Sequence, residues 1–232
     1  RKEDRETVNI FDIMGPVMVG PSSSHTAGAA RIGRVARSLL GEKPVEAELL
    51  MHGSFASTGK GHGTYQALIA GLLGMRPDDP RLPDSFRLAE EAGLKFTFGT
   101  CTLRDAHPNS VLIRMKGCKG HTLEVGACSP GGGRVKVFQV DGMDCDFSGE
   151  YPTLVIRNND RPGCVSHITI SLASLGLNLA SLKLSRDSLG GNAFMVIECD
   201  KSIPNSLVDE IRGLPGIQRV TRYVPEGQEE DV

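Results

Sequence analysis

The alternation of apolar and polar positions divides the chain into helices and strands. In the first part, apolar residues at helical spacing predict three helices, Thr26–Leu40, Thr64–Leu73 and Asp84–Ala92. Runs with period-two alternation or β-branched residues predict strands at Glu46–Met51, Lys95–Thr100, Ser110–Lys116, His121–Cys128 and Val135–Val140. Helices interleaved with such strands indicate a mixed sheet that is faced by helices.

A simpler pattern follows a seam rich in glycine, proline and serine, and we place a domain boundary near Ser148. The predicted elements beyond it are Thr153–Arg157, Val165–Leu175, Asn178–Arg186, Ala193–Cys199, Ser206–Arg212 and Ile217–Tyr223. Their order is βαββαβ, that of ferredoxin-like domains. The sequence therefore predicts an α/β (α+β) protein with domains at 9–147 and 148–225. The acidic tail, 226–232, is expected to be disordered.

Length and charge narrow the class of protein. The chain has 232 residues and a formal net charge of -2, and it contains no basic block, so a nucleic-acid partner is not expected. No apolar run approaches roughly 20 residues, which argues against a membrane span. The charged first residues lack the apolar core of a signal peptide and are set aside as a trimmed or tagged start. The expected compartment is the cytoplasm.

A run of hydroxyls precedes the first predicted helix. It contains Ser22, Ser23, Ser24, His25 and Thr26. Backbone N–H groups and the positive end of the helix dipole favour a carboxylate or phosphate at such a helix start. His25 could move a proton beside that anion. An ordinary serine N-cap with solvated neighbours explains the same residues without a ligand.

A second loop, His52–Thr64, combines glycines with Lys60, His62 and Thr64 and again leads into a predicted helix. Its glycines allow the backbone to approach a ligand closely. The loop matches neither the Walker nor the dinucleotide-binding spacing, so it is weak as a phosphate motif. Two such loops in one small domain nevertheless favour a binding site.

The six cysteines are isolated, at positions 101, 118, 128, 145, 164 and 199. Zinc and iron–sulfur sites usually show at least one close cysteine pair, because a tight loop presents two thiolates to one metal centre. We therefore expect no metal site in this chain and free thiols in a reducing compartment.

Four segments resemble the β subunit of iron–sulfur-dependent L-serine dehydratase: Asn9–Val17, Gly20–Gly28, Gly53–Thr64 and His107-Pro108-Asn109-Ser110. The resemblance extends from about Asn9 to Tyr223. This chain has Tyr65 where the family usually has an acidic residue, and Ser110 where it usually has threonine.

The resemblance implies conversion of L-serine to pyruvate and ammonia, with a 4Fe-4S cluster held by a partner α subunit and without pyridoxal phosphate. The implied acid/base residues are His62, His107 and His25, of which we favour the first two. The implied substrate-binding residues are Ser22, Ser23, Ser24, Thr26, Lys60, Thr64 and Asn109. Which histidine is the base stays open.

The second predicted domain resembles the ACT regulatory domain, which binds amino acids between paired copies. On that resemblance the effector residues are Asn159, Asp160, Arg161, Gly163 and Asn178, and the chain forms a homodimer or larger assembly. Asp160 could equally cap the following helix, with Pro162 near its first turn and no ligand at all.

Two functions from different classes remain. In the first, the chain completes a lyase active site whose cluster lies on another polypeptide. In the second, it is a non-catalytic module that senses serine and controls a partner enzyme. Both predict serine binding, but only the first predicts that removing His62 abolishes turnover.

Overall fold

A computed structural model describes residues 19–225; the Asn9–Val17 segment and the predicted disordered tail lie outside them. The first sheet has the strand order β2-β1-β3-β4-β5-β6. Its strands are β1 (Pro44–His52), β2 (Lys95–Thr100), β3 (Asn109–Gly117), β4 (Thr122–Gly131), β5 (Arg134–Val140) and β6 (Met143–Phe147). β1 and β2 are parallel and the other pairs are antiparallel. The predicted mixed sheet is confirmed.

The helices of this part pack on one face of the sheet. They are α1 (Ala29–Leu40), α2 (Gly53–Ser57), α3 (Thr64–Leu72) and α4 (Ser85–Glu91), and a 3-10 turn, Leu82–Asp84, precedes the last. Ser23–Gly28 forms a π-helical turn that continues directly into α1. We call Ser23–Gly28 the π-turn. The sequence predicted a single helix here, and α2 and β6 were not predicted.

Helices α1 and α3 approach closely because glycines face each other. A Cβ on Gly33 would collide with the carbonyl oxygen of Leu68, and one on Gly71 with that of Ala30. The backbones therefore touch without side chains between them. This contact places the starts of both helices, and the loops before them, side by side.

The second sheet has the strand order β10-β7-β9-β8, all antiparallel. Its elements are β7 (Thr153–Asn159), α5 (Cys164–Ser174), β8 (Leu179–Arg186), β9 (Asn192–Cys199), α6 (Asn205–Arg212) and β10 (Ile217–Tyr223). The predicted βαββαβ order is confirmed. None of the helices between residues 19 and 225 is long and apolar enough to cross a membrane.

The two sheets share a hydrophobic core. Val155, Phe194, Val196 and Tyr223 of the second sheet belong to the same buried cluster as the inner face of α1. The other face of the second sheet packs against α5 and α6 in a separate cluster that includes Leu154, Ile156 and Ile168. The second sheet is thus a layer between two cores.

Candidate functional site

The serine-rich turn and the glycine loop meet at the starts of α1 and α3. Thr26 is buried, and its hydroxyl donates to the carbonyl oxygen of His62 over 3.0 Å. The His25 and His62 rings lie 5.1 Å apart, centroid to centroid. Both histidines therefore lie in one cluster, although His62 follows Thr26, the neighbour of His25, by 36 positions in the chain.

Hydroxyl groups surround the His25 ring. Ser24 Oγ lies 3.2 Å from His25 Nδ1, while Ser54 Oγ and Thr58 Oγ1 lie 3.0 and 3.2 Å from Nε2. Ser22 caps the π-turn, with its Oγ accepting from the His25 N–H over 3.1 Å. The ring is thus held at both nitrogens and half-buried, whereas His62 is exposed.

Burial lowers the pKa of His25, and the nearby charge of His62 lowers it further. Both effects disfavour the imidazolium form, since it loses water and meets a like charge. His25 is accordingly neutral near pH 7.

This lowered pKa makes acid destabilise the fold. The unfolded chain binds a proton at His25 near its ordinary pKa of about 6.5 while the folded chain resists it, so stability falls as the pH drops below that value. We expect His25→Gln to lose less stability than wild type between about pH 7.5 and about pH 5.5 in urea titrations. His167→Gln, at an exposed position on α5, should match wild type. An unchanged pH slope in His25→Gln would contradict the assignment.

His107 precedes strand β3 and Asn109 begins it, at the end of the sheet next to the histidine cluster. Gly53 and Asn109 form an isolated bridge, and the Ser54 N–H donates to the carbonyl oxygen of Pro108 over 2.8 Å. His107 is exposed, and its Nδ1 accepts from the Asn109 N–H over 3.1 Å. Asn109 Nδ2 donates to the carbonyl oxygen of Ser129 over 3.2 Å. This end of the sheet therefore borders the histidine cluster through Ser54.

The other predicted substrate-binding residues lie in the same two segments, the serine-rich turn before α1 and the glycine loop that leads into α3. Ser23 begins the π-turn and is half-buried. Lys60 is exposed, with Nζ 6.0 Å from the centroid of the Tyr65 ring. Thr64 is fully buried, and its hydroxyl has no partner within the described part of the chain. Residue 65 is a tyrosine and not the acidic residue usual in the family, and its ring packs against Phe98.

Three site residues escaped the sequence analysis. Ser54 and Thr58 hold His25 Nε2, and only their spacing of four residues, which places both on one face of a helical turn, hinted at a joint role. Ser129 is fully buried with an unpartnered hydroxyl and occupies the space where Gly28 lacks a side chain. No local signal in the sequence marks Ser129.

The predicted effector residues divide between the two ends of α5. At its start, Asp160 Oδ2 accepts from Arg186 and from the Gly190 N–H, both over 3.0 Å. Asn178 lies beyond the other end and donates to Asp200 over 2.7 Å. Capping by Asp160 was wrong, because Gly163 is the N-cap, with φ of 91°, and Pro162 precedes it.

Two polar groups complete this loop. The Asn159 side chain accepts from Gln218 over 2.6 Å, and Arg161 packs against Gly216. Asn158, which is not among the predicted effector residues, is 2% exposed and its Oδ1 has no partner in the described residues. An unpaired buried amide oxygen suits a donor group of a ligand.

Fold and site together define an α/β protein with two sheets and with an imidazole and hydroxyl cluster at two adjacent helix starts. A family profile described as "Serine dehydratase beta chain" matches residues 9–93. The "Probable L-serine dehydratase, beta chain" of Bacillus subtilis is 41% identical over 214 residues, 92% of this chain and 97% of that protein. The "L-serine dehydratase, beta chain" of Peptoniphilus asaccharolyticus is 42% identical over 205 residues, 88% of this chain and 92% of that one.

The chain belongs to the serine dehydratase beta chain family. Among solved structures, the ACT domain from GTP pyrophosphokinase of Chlorobium tepidum matches with a TM-score of 0.27 and 19% identity, covering 31% of this chain and 94% of that one. The strand order by itself defines a ferredoxin-like βαββαβ topology.

Proposed function

We propose that this chain supplies the substrate-binding and proton-handling half of an L-serine ammonia-lyase, which converts L-serine to pyruvate and ammonia. The observation that carries the proposal is the ring contact of His25 with His62 at a helix start lined by hydroxyls. The name of the relatives, beta chain, supports a second subunit. We place the enzyme in the cytoplasm, where its six free cysteines stay reduced.

The reaction removes the Cα proton of serine and releases its β-hydroxyl as water. The resulting enamine tautomerises to an imine, which water hydrolyses to pyruvate and ammonia. In our proposal Ser22, Ser23 and Ser24, with the N–H groups that begin the π-turn, bind the carboxylate. His62 takes the Cα proton, because its imidazole is exposed while the backbone at that residue is held by Thr26.

His25 then orients the site rather than exchanging a proton with substrate. Both of its nitrogens already face hydroxyls, and burial keeps it neutral. Lys60, Thr64 and Asn109 act as neighbours that bind or orient the substrate. His107 is the second candidate for the base, since it is exposed at the end of the sheet that borders the histidine cluster.

In our proposal the cluster ligands come from the partner subunit. Nowhere in residues 19–225 do three His, Cys, Asp or Glu side chains converge as metal ligands, and four of the six free thiols are buried. We therefore assign the 4Fe-4S cluster to the α subunit. When bound there, it would supply the Lewis acid that loss of a hydroxyl group requires.

Anaerobic pyruvate formation from L-serine tests the proposal. The comparison uses this chain alone, a cluster-bearing partner alone, and both together. We expect activity only in the mixture. Full activity of the partner alone would overturn the proposal and leave this chain a serine-sensing regulator.

We further propose that two copies pair through β8, an edge strand. Leu182 and Leu184 on this strand are 40% and 44% exposed, which is unusual for large apolar side chains on a strand. Antiparallel pairing of β8 with its copy would bring Asn178 of the second copy beside Arg186, which contacts Asp160. The two separated parts of the effector set would then form one amino-acid site that includes Asn158.

Disruption of this edge should separate the copies. We expect Leu184→Lys to raise the dissociation constant of the dimer by about tenfold or more, because a buried apolar contact becomes a charge. Leu189→Lys is the control: Leu189 is 86% exposed in the turn after β8. Sedimentation velocity measures both. Equal dimer content in Leu184→Lys and wild type would rule out pairing through β8.

A further inference from the structure

Helix α1 connects the π-turn to the second sheet. It begins directly after the π-turn and runs for 12 residues, a length of about 18 Å. One end carries the residues proposed to bind substrate, and the other lies against strand β10. Because a helix of this length is stiff, the position of its far end fixes that of the π-turn.

Two side chains of strand β10 contact the carboxyl end of α1. Arg219 Nη2 donates to the carbonyl oxygen of Leu40, and Thr221 Oγ1 lies 3.5 Å from that of Leu39. Gly41 ends the helix with φ of 69°, and Arg219 Nη2 lies 3.5 Å from the position a Cβ would take there. A cation at the negative end of a helix is favoured, more so when it is partly buried.

The site has a helix-borne part and a sheet-borne part. The Gly33–Gly71 contact locks α1 to α3, so the π-turn and the His62 loop form one unit. Asn109 and Ser129 belong to the sheet. The Gly28–Ser129 contact joins the two parts. The position of α1 along its axis therefore sets how the imidazoles face Asn109.

We propose that Arg219 is a positioning residue for the site, holding the π-turn in register with the sheet through α1. The inference rests on the proposed function of that turn. The preceding residue, Gln218, bonds to Asn159 over 2.6 Å. A displacement of the predicted effector residues 159–163 would thereby be passed along β10 to Arg219, which makes this residue the joint between the two sheets.

Amide hydrogen exchange on the full chain, without any ligand, tests the joint. Arg219→Ala should raise exchange of amides 23–28 by about fivefold, and Arg219→Lys should restore most of the protection. Arg222→Ala is the matched control, since Arg222 lies on the same strand but donates to the carbonyl oxygen of Ile203 over 2.7 Å. Equal exchange in Arg219→Ala and Arg222→Ala would overturn the proposal. A matching rise in β3 amides 111–115 would also overturn it, since the effect would be global.

In the two-chain enzyme, Arg219→Ala should raise the KM for L-serine by about tenfold, and Arg219→Lys should recover most of it. An unchanged KM would contradict the positioning role. If neither wild type nor variant forms pyruvate, the proposed function fails, while the exchange experiment still decides the role of Arg219.

Discussion

Replacement of Gly71 by alanine is expected to lower the free energy of unfolding by about 3 kcal/mol or more. The added methyl group would meet the backbone carbonyl of Ala30, and α1 cannot retreat because its other side is packed in the shared core. Helix propensity alone predicts the opposite sign, since alanine is favoured over glycine inside a helix by about 1 kcal/mol. Urea unfolding followed by circular dichroism measures the difference.

Two further variants sharpen this test. Gly33→Ala places its methyl group against Leu68 on the facing helix and should cost a similar amount. Gly213→Ala makes the same chemical change at a helix end with φ of -77°, where the nearest atom lies 3.4 Å away. It should stay within about 1 kcal/mol of wild type. A stabilised Gly71→Ala would show that the two helices pack less closely than described.

Replacement of His62 by alanine is expected to reduce turnover of the proposed two-chain enzyme by about 100-fold to 10,000-fold with the fold intact. The reason is the loss of the exposed imidazole beside the hydroxyl-lined turn. Its neighbours should keep their places, because Thr26 bonds to the backbone of residue 62 and not to its ring. Steady-state pyruvate formation and circular dichroism measure the two quantities.

The control is His121→Ala. His121 lies in the turn between β3 and β4, where it pairs with Glu42 over 2.9 Å, at the end of the sheet away from the site. Its turnover should equal that of wild type. Near-normal turnover in His62→Ala would remove His62 as the base and direct attention to His107. A change only in the serine concentration required would favour a regulatory role.

The elements that the sequence predicted are those with a repeating apolar pattern. Strands such as Ser110–Lys116 and the whole βαββαβ order could be recognised because period and burial are local properties. β6 was missed because aspartates, which are disfavoured in strands, occupy positions 144 and 146 and because the segment is rich in turn residues. The five residues of α2 are too few for a periodic signal.

Individual residues of the candidate site could be predicted from the sequence, but the contacts between them could not. Motif composition singled out His25 and His62, but their ring contact depends on the glycine-mediated approach of α1 to α3. The buried position of the unpartnered Ser129 hydroxyl depends on the pairing of β3 with β4 and on the missing side chain of Gly28. Such partners are set by tertiary packing, for which a single sequence has no local pattern.

The core that α1 shares with the second sheet limits how this protein can be shortened or recombined. Cutting the chain near Ser148, at the seam of the proposed domains, would uncover the face of α1 that Phe194, Val196 and Tyr223 now protect. Ser148 itself donates from both its N–H and its Oγ to the buried carboxylate of Glu198. A chimera that exchanges the βαββαβ unit between relatives should therefore keep the apolar face of α1 with the unit that covers it.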